Sequence, residues 1–272
     1  MELEEKLREM KDFLSHFNSA IVAFSGGVDS ATLAALCKEV IKKVLAITVR
    51  SEVSPSREIE KALIAAEEIG VKHRFIDLDI LKVEGFSENS EMRCYYCKKF
   101  LIKALVDIAI AEKYDVVLEG TNASDLKGHR PGYRAVVECD IAFSPWADFG
   151  IKKEEIRSIA RSMGFSFYNS PSLACLASRI PFGVRITREN LRMIDEAENA
   201  VIRIARVGMV RVRNIDGFAV VEVEKDEISH ILEKKEKIKD FLLKIGFKDV
   251  FINPNGYKTG VFVSKIQEML KI

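Results

Sequence analysis

One glutamine stands in 272 residues, against 42 lysines and arginines and 41 aspartates and glutamates. Scarce amides beside abundant charge resemble the composition of proteins from heat-loving organisms. Net charge is scarce as well: 42 − 41 leaves a formal +1. No basic tail or patch stands out, so net charge lends no support to nucleic-acid binding. No run of about 18 apolar residues occurs, so no membrane-spanning helix is expected. The opening stretch MELEEKLREMKDFL is charged and amphipathic and carries no apolar segment of the signal-peptide kind. A cytoplasmic location is therefore expected. Internal repeats and low-complexity segments are missing too. What is present is 48% apolar residues, enough for one large core or two smaller ones.

Cysteines are few and odd in number: Cys37, Cys94, Cys97, Cys139 and Cys175. In a reducing cytosol such a set argues for metal binding or reactive sulfur, not for a disulfide framework. Cys37 lies in an apolar helical stretch and reads as core. Cys139, in VVECD, leans toward a structural role. Cys94, Cys97 and Cys175 sit in polar settings rich in Gly, Ser and Arg.

Apolar periodicity predicts strands over 20–24, 44–50, 72–80, 115–121 and 142–150, the last running into a loop. Helices are predicted over 1–17, 29–41, 55–70, 93–114 and 152–164. Strands alternating with helices mean βαβ units, a parallel sheet and an α/β fold. A loop rich in Ser, Pro and Gly (170–183) ends that pattern. A helix over 187–205, strands over 209–215 and 218–224, a charged helix over 226–245 and a strand over 248–252 follow. Residues 1–183 are expected to form an α/β domain, and residues 184–272 a small α+β domain.

The stretch FSGGVDS (24–30) joins the first apolar strand to the first interior helix. Gly26 and Gly27 allow positive φ and close approach of backbone N–H groups to a ligand. The helix N-terminus adds unsatisfied donors and partial positive charge, which suits a phosphate or pyrophosphate. Ser25 and Ser30 can add hydroxyl donors, and Asp29 can hold Mg²⁺. The competing reading is a plain turn with Asp29 as the helix N-cap. The string is neither a Walker A loop nor a Rossmann G-x-G-x-x-G.

Cys94 and Cys97, in RCYYCKK, are three apart, so on a helical turn both thiols face one way. A helix start favours their thiolates. Alone, a C-x-x-C stays open between metal binding, redox activity and coincidence. Cys175 lies in SLACLASRIPFG, beside Arg179. In EGTNASDLKGHRPGYRA (119–135), Gly120 to Asn122 end a strand at the sheet edge where open α/β sheets bind ligands. Asp125 and Arg130 could there reach phosphate, metal or substrate; the alternative is an ordinary polar loop. In VRVR, Arg211 and Arg213 point to one face of a strand. That suits a phosphate or carboxylates, or else a solvated strand face.

FSGGVDS resembles the PP-loop of the ATP pyrophosphatase superfamily. The resemblance implies ATP as co-substrate, with Ser25, Gly26, Gly27, Asp29 and Ser30 on its pyrophosphate end. Together, the PP-loop, EGTNASDL…RPGYRA, SPWADFGIKKEEIRSIAR, ACLASRIPFG and VRVR resemble the LarE-type ATP-dependent sulfur transferases along nearly the whole chain. The family's substrate is a pyridinium-3,5-biscarboxylate mononucleotide. Each carboxylate is adenylated and converted to a thiocarboxylate for a nickel-pincer nucleotide cofactor. In one branch the cysteine at the position of Cys175 gives up its own sulfur. In the other, three cysteines hold a [4Fe–4S] cluster with an exchangeable sulfide. Cys94, Cys97 and Cys175 match the cluster branch. The resemblance further implies substrate contacts from Arg179, Arg211 and Arg213, a sulfide or persulfide donor, and a homo-oligomer. Glu198 resembles a metal-binding glutamate of the family. A zinc site would want a fourth ligand, and His129 is the only candidate nearby. The rivals are a PP-loop tRNA thiolase, which normally brings further C-x-x-C pairs and a basic surface, and a nucleotide-binding module without chemistry.

Overall fold

The structure, a computed structural model, describes residues 2–127, 131–171 and 174–257. Arg130 and His129 of the sequence reading, and the last residues of the chain, lie outside the described residues. The chain divides into two compact units, Met1–Phe86 with Met92–Leu173, and Ser87–Glu91 with Ala174–Ile272.

The first unit runs α1 (Leu3–Ser15), β1 (Ser19–Ala23), α2 (Val28–Val40), β2 (Lys43–Arg50), α3 (Ser56–Ile69) and β3 (Lys72–Asp77). It continues α4 (Arg93–Glu112), β4 (Val116–Leu118), α5 (Pro131–Val137), β5 (Ala142–Phe143), α6 (Pro145–Asp148) and α7 (Lys153–Ser162). Its five strands form one sheet in the order β3-β2-β1-β4-β5, every pairing parallel. Side chains alternate across it as the pleat requires. Ala20, Val22, Val116 and Leu118 face a core built with α1, α2, α3 and α7. Ile21 and Val117 face a second core built with Ile102 and Leu105 of α4 and Val136 of α5. Both sheet faces are thus covered, which explains why the strands read as unbroken apolar runs. The α/β architecture expected from the sequence is what forms.

α2 is buried almost all round, Cys37 included, and burial pushes the Cys37 thiol up. That cysteine is core, as expected. α5 was not expected: its Pro-Gly start reads as a turn in sequence. Pro131 sits in the first helical turn, where a missing N–H costs nothing.

In the second unit α8 (Arg188–Ala205) starts on Thr187, whose side chain accepts from the Asn190 N–H at 3.2 Å. β6 (Val210–Ile215) and β7 (Phe218–Val223) form an antiparallel hairpin. Its two turn residues, Asp216 and Gly217, have φ of 51° and 87°, the left-handed pair a two-residue hairpin demands. The expected charged helix is broken at Lys234 into α9 (Ile228–Glu233) and α10 (Lys235–Lys244). β8 (Val250–Ile252) pairs parallel to β7, giving the order β6-β7-β8. Val212 on the open edge of β6 donates its N–H to Glu198 Oε1 of α8 at 3.1 Å. Among the described residues no helix is long and apolar enough to cross a membrane.

Candidate functional site

Strand order reverses at β1: β2 and β3 lie on one side, β4 and β5 on the other. Loops leaving β1 and β4 therefore diverge and open a crevice at the carboxyl edge. A cleft of about 330 Å³ occupies this place. Ser25, Asp29, Ser30, Glu119 and Gly120 line its polar end, and Ile47, Val49, Ile102 and Leu105 its apolar wall. A smaller hollow of about 80 Å³, lined by Gly26, Gly27, Lys61 and Lys153, shares Ser25, Asp29 and Glu58 with it.

The turn at 25–30 is tightly self-bonded. Ser30 Oγ receives the Ser25 N–H at 3.1 Å and donates to the Gly27 carbonyl at 3.2 Å. The Gly27 N–H reaches Ser25 Oγ at 3.3 Å. Gly26 alone needs glycine's freedom: its φ is +73°, and a Cβ there would lie 2.5 Å from the Ala62 Cα. Gly27 has φ −74° and is the N-cap of α2. Asp29 is thus not the N-cap but a first-turn residue. At Gly120 a Cβ would meet the Ser30 N at 3.0 Å, so glycine lets β4 run against the first turn of α2. Gly26→Ala should cost about 1–3 kcal/mol from the left-handed backbone alone, plus the collision with α3. Urea unfolding checks this, and a stability equal to wild type would refute it.

Asp29 carries an ion pair with Lys153 of α7, and its other oxygen accepts from Asn122 Nδ2 at 3.4 Å. Burial pushes the Asp29 carboxyl up, and Lys153 offsets this only in part. Trp146, wholly buried, donates Nε1–H to the Asp29 carbonyl at 3.0 Å.

Deeper in the cleft Glu119 is 2% exposed. It accepts from Lys98 Nζ at 2.6 Å, from Ser144 Oγ, and from Thr121 Oγ1 at 2.9 Å. Burial would raise its carboxyl, but Lys98 and these hydrogen bonds outweigh burial and hold it below the usual carboxylate value of 4.5. A carboxyl lowered by folding stabilises above its unfolded pKa, and the gain is lost as pH falls through the folded pKa. Glu119→Gln should therefore flatten the acid limb of the unfolding midpoint against pH below about 4.5. An acid limb identical to wild type would contradict the assignment.

Cys94 and Cys97 start α4, Cys94 exposed and Cys97 half-buried. Lys98, next in sequence, lines the cleft, which puts this helix start beside it. α5 packs on the same turn: a Cβ at Gly132 would lie 3.2 Å from the Cys94 carbonyl oxygen. Tyr95 and Arg134 both hydrogen-bond Glu138, at 2.7 Å each, tying the two helices together. Cys139 is half-buried against the second core.

The remaining expected residues lie in the second unit and gather there. Cys175 is exposed and precedes a short 3₁₀ turn, Leu176–Arg179. Arg179 is 0% exposed, as is Glu198, which it grips at 2.8 and 3.3 Å. Its third nitrogen donates to the Ala174 and Cys175 carbonyls at 2.7 and 3.0 Å. The arginine thus holds the cysteine loop against α8. Arg213 pairs with Glu222 at 2.8 Å and donates to the Ser178 carbonyl at 3.1 Å. Arg211 lies over the Tyr257 ring at 5.5 Å. Both arginines are buried, so VRVR is not a solvated strand face. Among the described residues no group of three or more His, Cys, Asp or Glu side chains forms a metal site.

A strand–glycine turn–helix junction at a parallel sheet's switch point, with lysines about it, can take an anionic ligand. A family model described as NAD synthase matches residues 2–142. The chain belongs to the NAD synthase family. Relatives of this NAD synthase-family chain extend the likeness beyond residue 142. An uncharacterized protein of Synechocystis sp. is 33% identical over 264 residues, 95% of this chain and 97% of the relative. One of Methanocaldococcus jannaschii is 34% identical over 257 residues, 94% of each. The pyridinium-3,5-bisthiocarboxylic acid mononucleotide synthase of Lactiplantibacillus plantarum is 29% identical over 249 residues, 91% of this chain and 90% of the relative. The resemblance to LarE-type proteins expected from the sequence is therefore shown.

Sequence reasoning did not assign roles to Lys98, Glu119, Ser144, Trp146 or Lys153. One signal was there for Lys153. It occupies the first turn of α7, beside Lys152, where the helix dipole disfavours cations.

Proposed function

We propose that the chain is an ATP-dependent sulfurtransferase. It adenylates the carboxylates of a pyridinium-3,5-biscarboxylate mononucleotide, releases pyrophosphate, and converts the carboxylates to thiocarboxylates for a nickel-pincer cofactor. The observation that carries this reading is the likeness to the Lactiplantibacillus plantarum synthase, which spans 91% of the chain and both units. The switch-point cleft supports it: its apolar wall suits adenine, and its polar end suits phosphates. In this reading Ser25, Gly26, Gly27, Ser30 and Gly120 surround the pyrophosphate end of ATP, and Asp29 carries Mg²⁺. A carboxylate oxygen is a poor leaving group; as an acyl adenylate it departs as AMP, and a sulfur nucleophile takes its place.

Arg211 and Arg213 serve the acidic groups of the nucleotide substrate. Arg179, wholly enclosed, serves it through the Cys175 loop it holds. Cys94, Cys97 and Cys175 would hold a [4Fe–4S] cluster. The thiols suit that donor set: Cys94 and Cys175 are exposed, and Cys94 and Cys97 share one helical turn. Such a cluster, bound by three thiolates, supplies an open iron and a replaceable sulfide. A sulfide or persulfide donor and a homo-oligomeric assembly belong to the same proposal.

Pyrophosphate release from ATP, Mg²⁺ and the biscarboxylate nucleotide tests the reading. Release no faster than without protein would end it, and release driven by tRNA instead would favour a tRNA thiolase. Iron and sulfide analysis after anaerobic purification tests the cluster separately. Loss of one hydrogen sulfide at Cys175, in protein that never carried iron, would show the sacrificial route instead. Arg211→Ala and Arg213→Ala should each weaken nucleotide-substrate binding by about 1.5–3 kcal/mol with ATP binding kept. Collapse of ATP affinity would move both arginines to the ATP site.

A further inference from the structure

A groove of about 770 Å³ is built in the second unit by the end of α8 together with α9 and α10. Arg203 and Arg206 enter it from α8, and Lys234 and Lys237 from the junction of α9 and α10. All four are exposed, and Glu233 is the one acid in the lining. The lining thus carries +4 − 1 = +3, which leaves +1 − 3 = −2 for the rest of the chain. Other cations of this unit have partners: Arg179 with Glu198, Arg213 with Glu222 and Lys239 with Asp249. Among the described residues these four form no ion pair. The backbone adds to the cost of the cluster. Arg206 takes the left-handed C-cap of α8, φ 56°, a place that glycine fills most cheaply. The helix expected over 226–245 breaks at Lys234, which puts Lys234 and Lys237 at the start of α10, the end where the helix dipole disfavours cations.

From this uncompensated crowding of charge we propose that the groove docks an acidic amphipathic helix of a partner protein, an interaction independent of the proposed reaction. The floor selects the occupant. Ile204 and Phe241 are half-buried and bring apolar surface to the same lining. A helix with an apolar stripe lays that stripe into such a groove, and the Asp and Glu flanking it meet the four cations. A nucleic acid matches less well. Its phosphates run on past the groove over a surface of net negative charge, and only Phe241 and His230 bring rings for bases to stack on. The chain's own residues 258–272 carry Lys258, Lys265 and Lys271 against Glu268, the wrong sign to fill the groove.

The probe is a fluorescein-labelled peptide of leucine and glutamate, about 18 residues long so that it forms a helix, with its leucines on one helical face. Fluorescence anisotropy with the full chain should show saturable binding that weakens as salt is raised. Lys234→Glu combined with Lys237→Glu should weaken it at least about tenfold. The same peptide with lysine in place of glutamate should not bind. The double variant should be no less stable than wild type in urea, because it relieves like charges at the start of α10. Wild-type protein gives a second measurement: carbodiimide should couple peptide glutamates to Lys234 or Lys237, read by mass spectrometry. No saturable binding, equal binding by the double variant, or coupling to other lysines alone overturns the proposal. So does tighter binding of single-stranded oligothymidylate that the double variant loses, since the groove would then be a nucleic-acid face.

Discussion

Arg179→Ala is expected to destabilise the second unit by about 3–5 kcal/mol, the usual cost of stripping one partner from a buried ion pair. Neither Arg179 nor Glu198 is exposed at all, so the guanidinium is lost from a site closed to bulk solvent. Glu198 would lose both contacts with Arg179 while the Val212 N–H stays on it. The carbonyls of Ala174 and Cys175 lose their common donor as well. Desolvation, not attraction, sets the size of the effect. Arg179→Met combined with Glu198→Leu removes both charges, and it should recover much of the loss. Guanidinium unfolding of the single and double variants decides the matter. A single variant within about 1 kcal/mol of wild type would mean that the pair is not buried in solution.

Pyrophosphate release by Asp29→Ala should fall to background, a loss of at least about 10²-fold. Gly27→Val should do the same by another route. The φ of Gly27 is one that valine can adopt, and a Cβ there meets only Ser25 Oγ, at 3.3 Å. The branched side chain fills the hollow without breaking the turn, so the variant should fold and fail to hold phosphate. Its neighbour behaves oppositely: at Gly26 any side chain strikes α3, and stability suffers first. Comparing the two variants separates a glycine kept for the ligand from one kept for the fold. Release at the wild-type rate from either Asp29→Ala or Gly27→Val would remove the phosphate assignment.

The alternation of strands and helices was legible in the sequence because both faces of the sheet are buried, and because helices such as α3 and α7 carry an apolar stripe while α2 is apolar over helical length. The turn at 25–30 was legible because serine, glycine and aspartate concentrate there between apolar runs. Long-range pairing was not. Lys98 meets Glu119 across 21 residues, and Lys153 meets Asp29 across 124, and no local pattern encodes either. The arginines of VRVR show a second limit. Period-2 spacing places Arg211 and Arg213 on one face, but their burial depends on Glu222, Tyr257 and the 3₁₀ turn. α5 was hidden because Pro-Gly marks turns and helix starts alike. The break at Lys234 was hidden because lysine is a good helix former and nothing local stops it.

The position of β1 in its sheet has a consequence for synthesis of the chain. Its partner β4 comes late: Ala20 pairs with Val116, and the Asn18 and Ser19 N–H groups both donate to Asp115. β1 and β2 can pair as soon as residue 50 has emerged. The other edge of β1 waits for β4, which trails by 96 residues. At about 5–20 residues per second that delay lasts about 5–20 seconds. Throughout it an apolar strand presents a bare row of N–H and C=O groups, the kind of edge that captures other strands. Ribosome-bound chains halted before Val116 emerges should therefore bind chaperones and aggregate on release. Chains halted after Leu118 has cleared the exit tunnel should do neither, because the strand at the centre of the sheet then has neighbours on both sides.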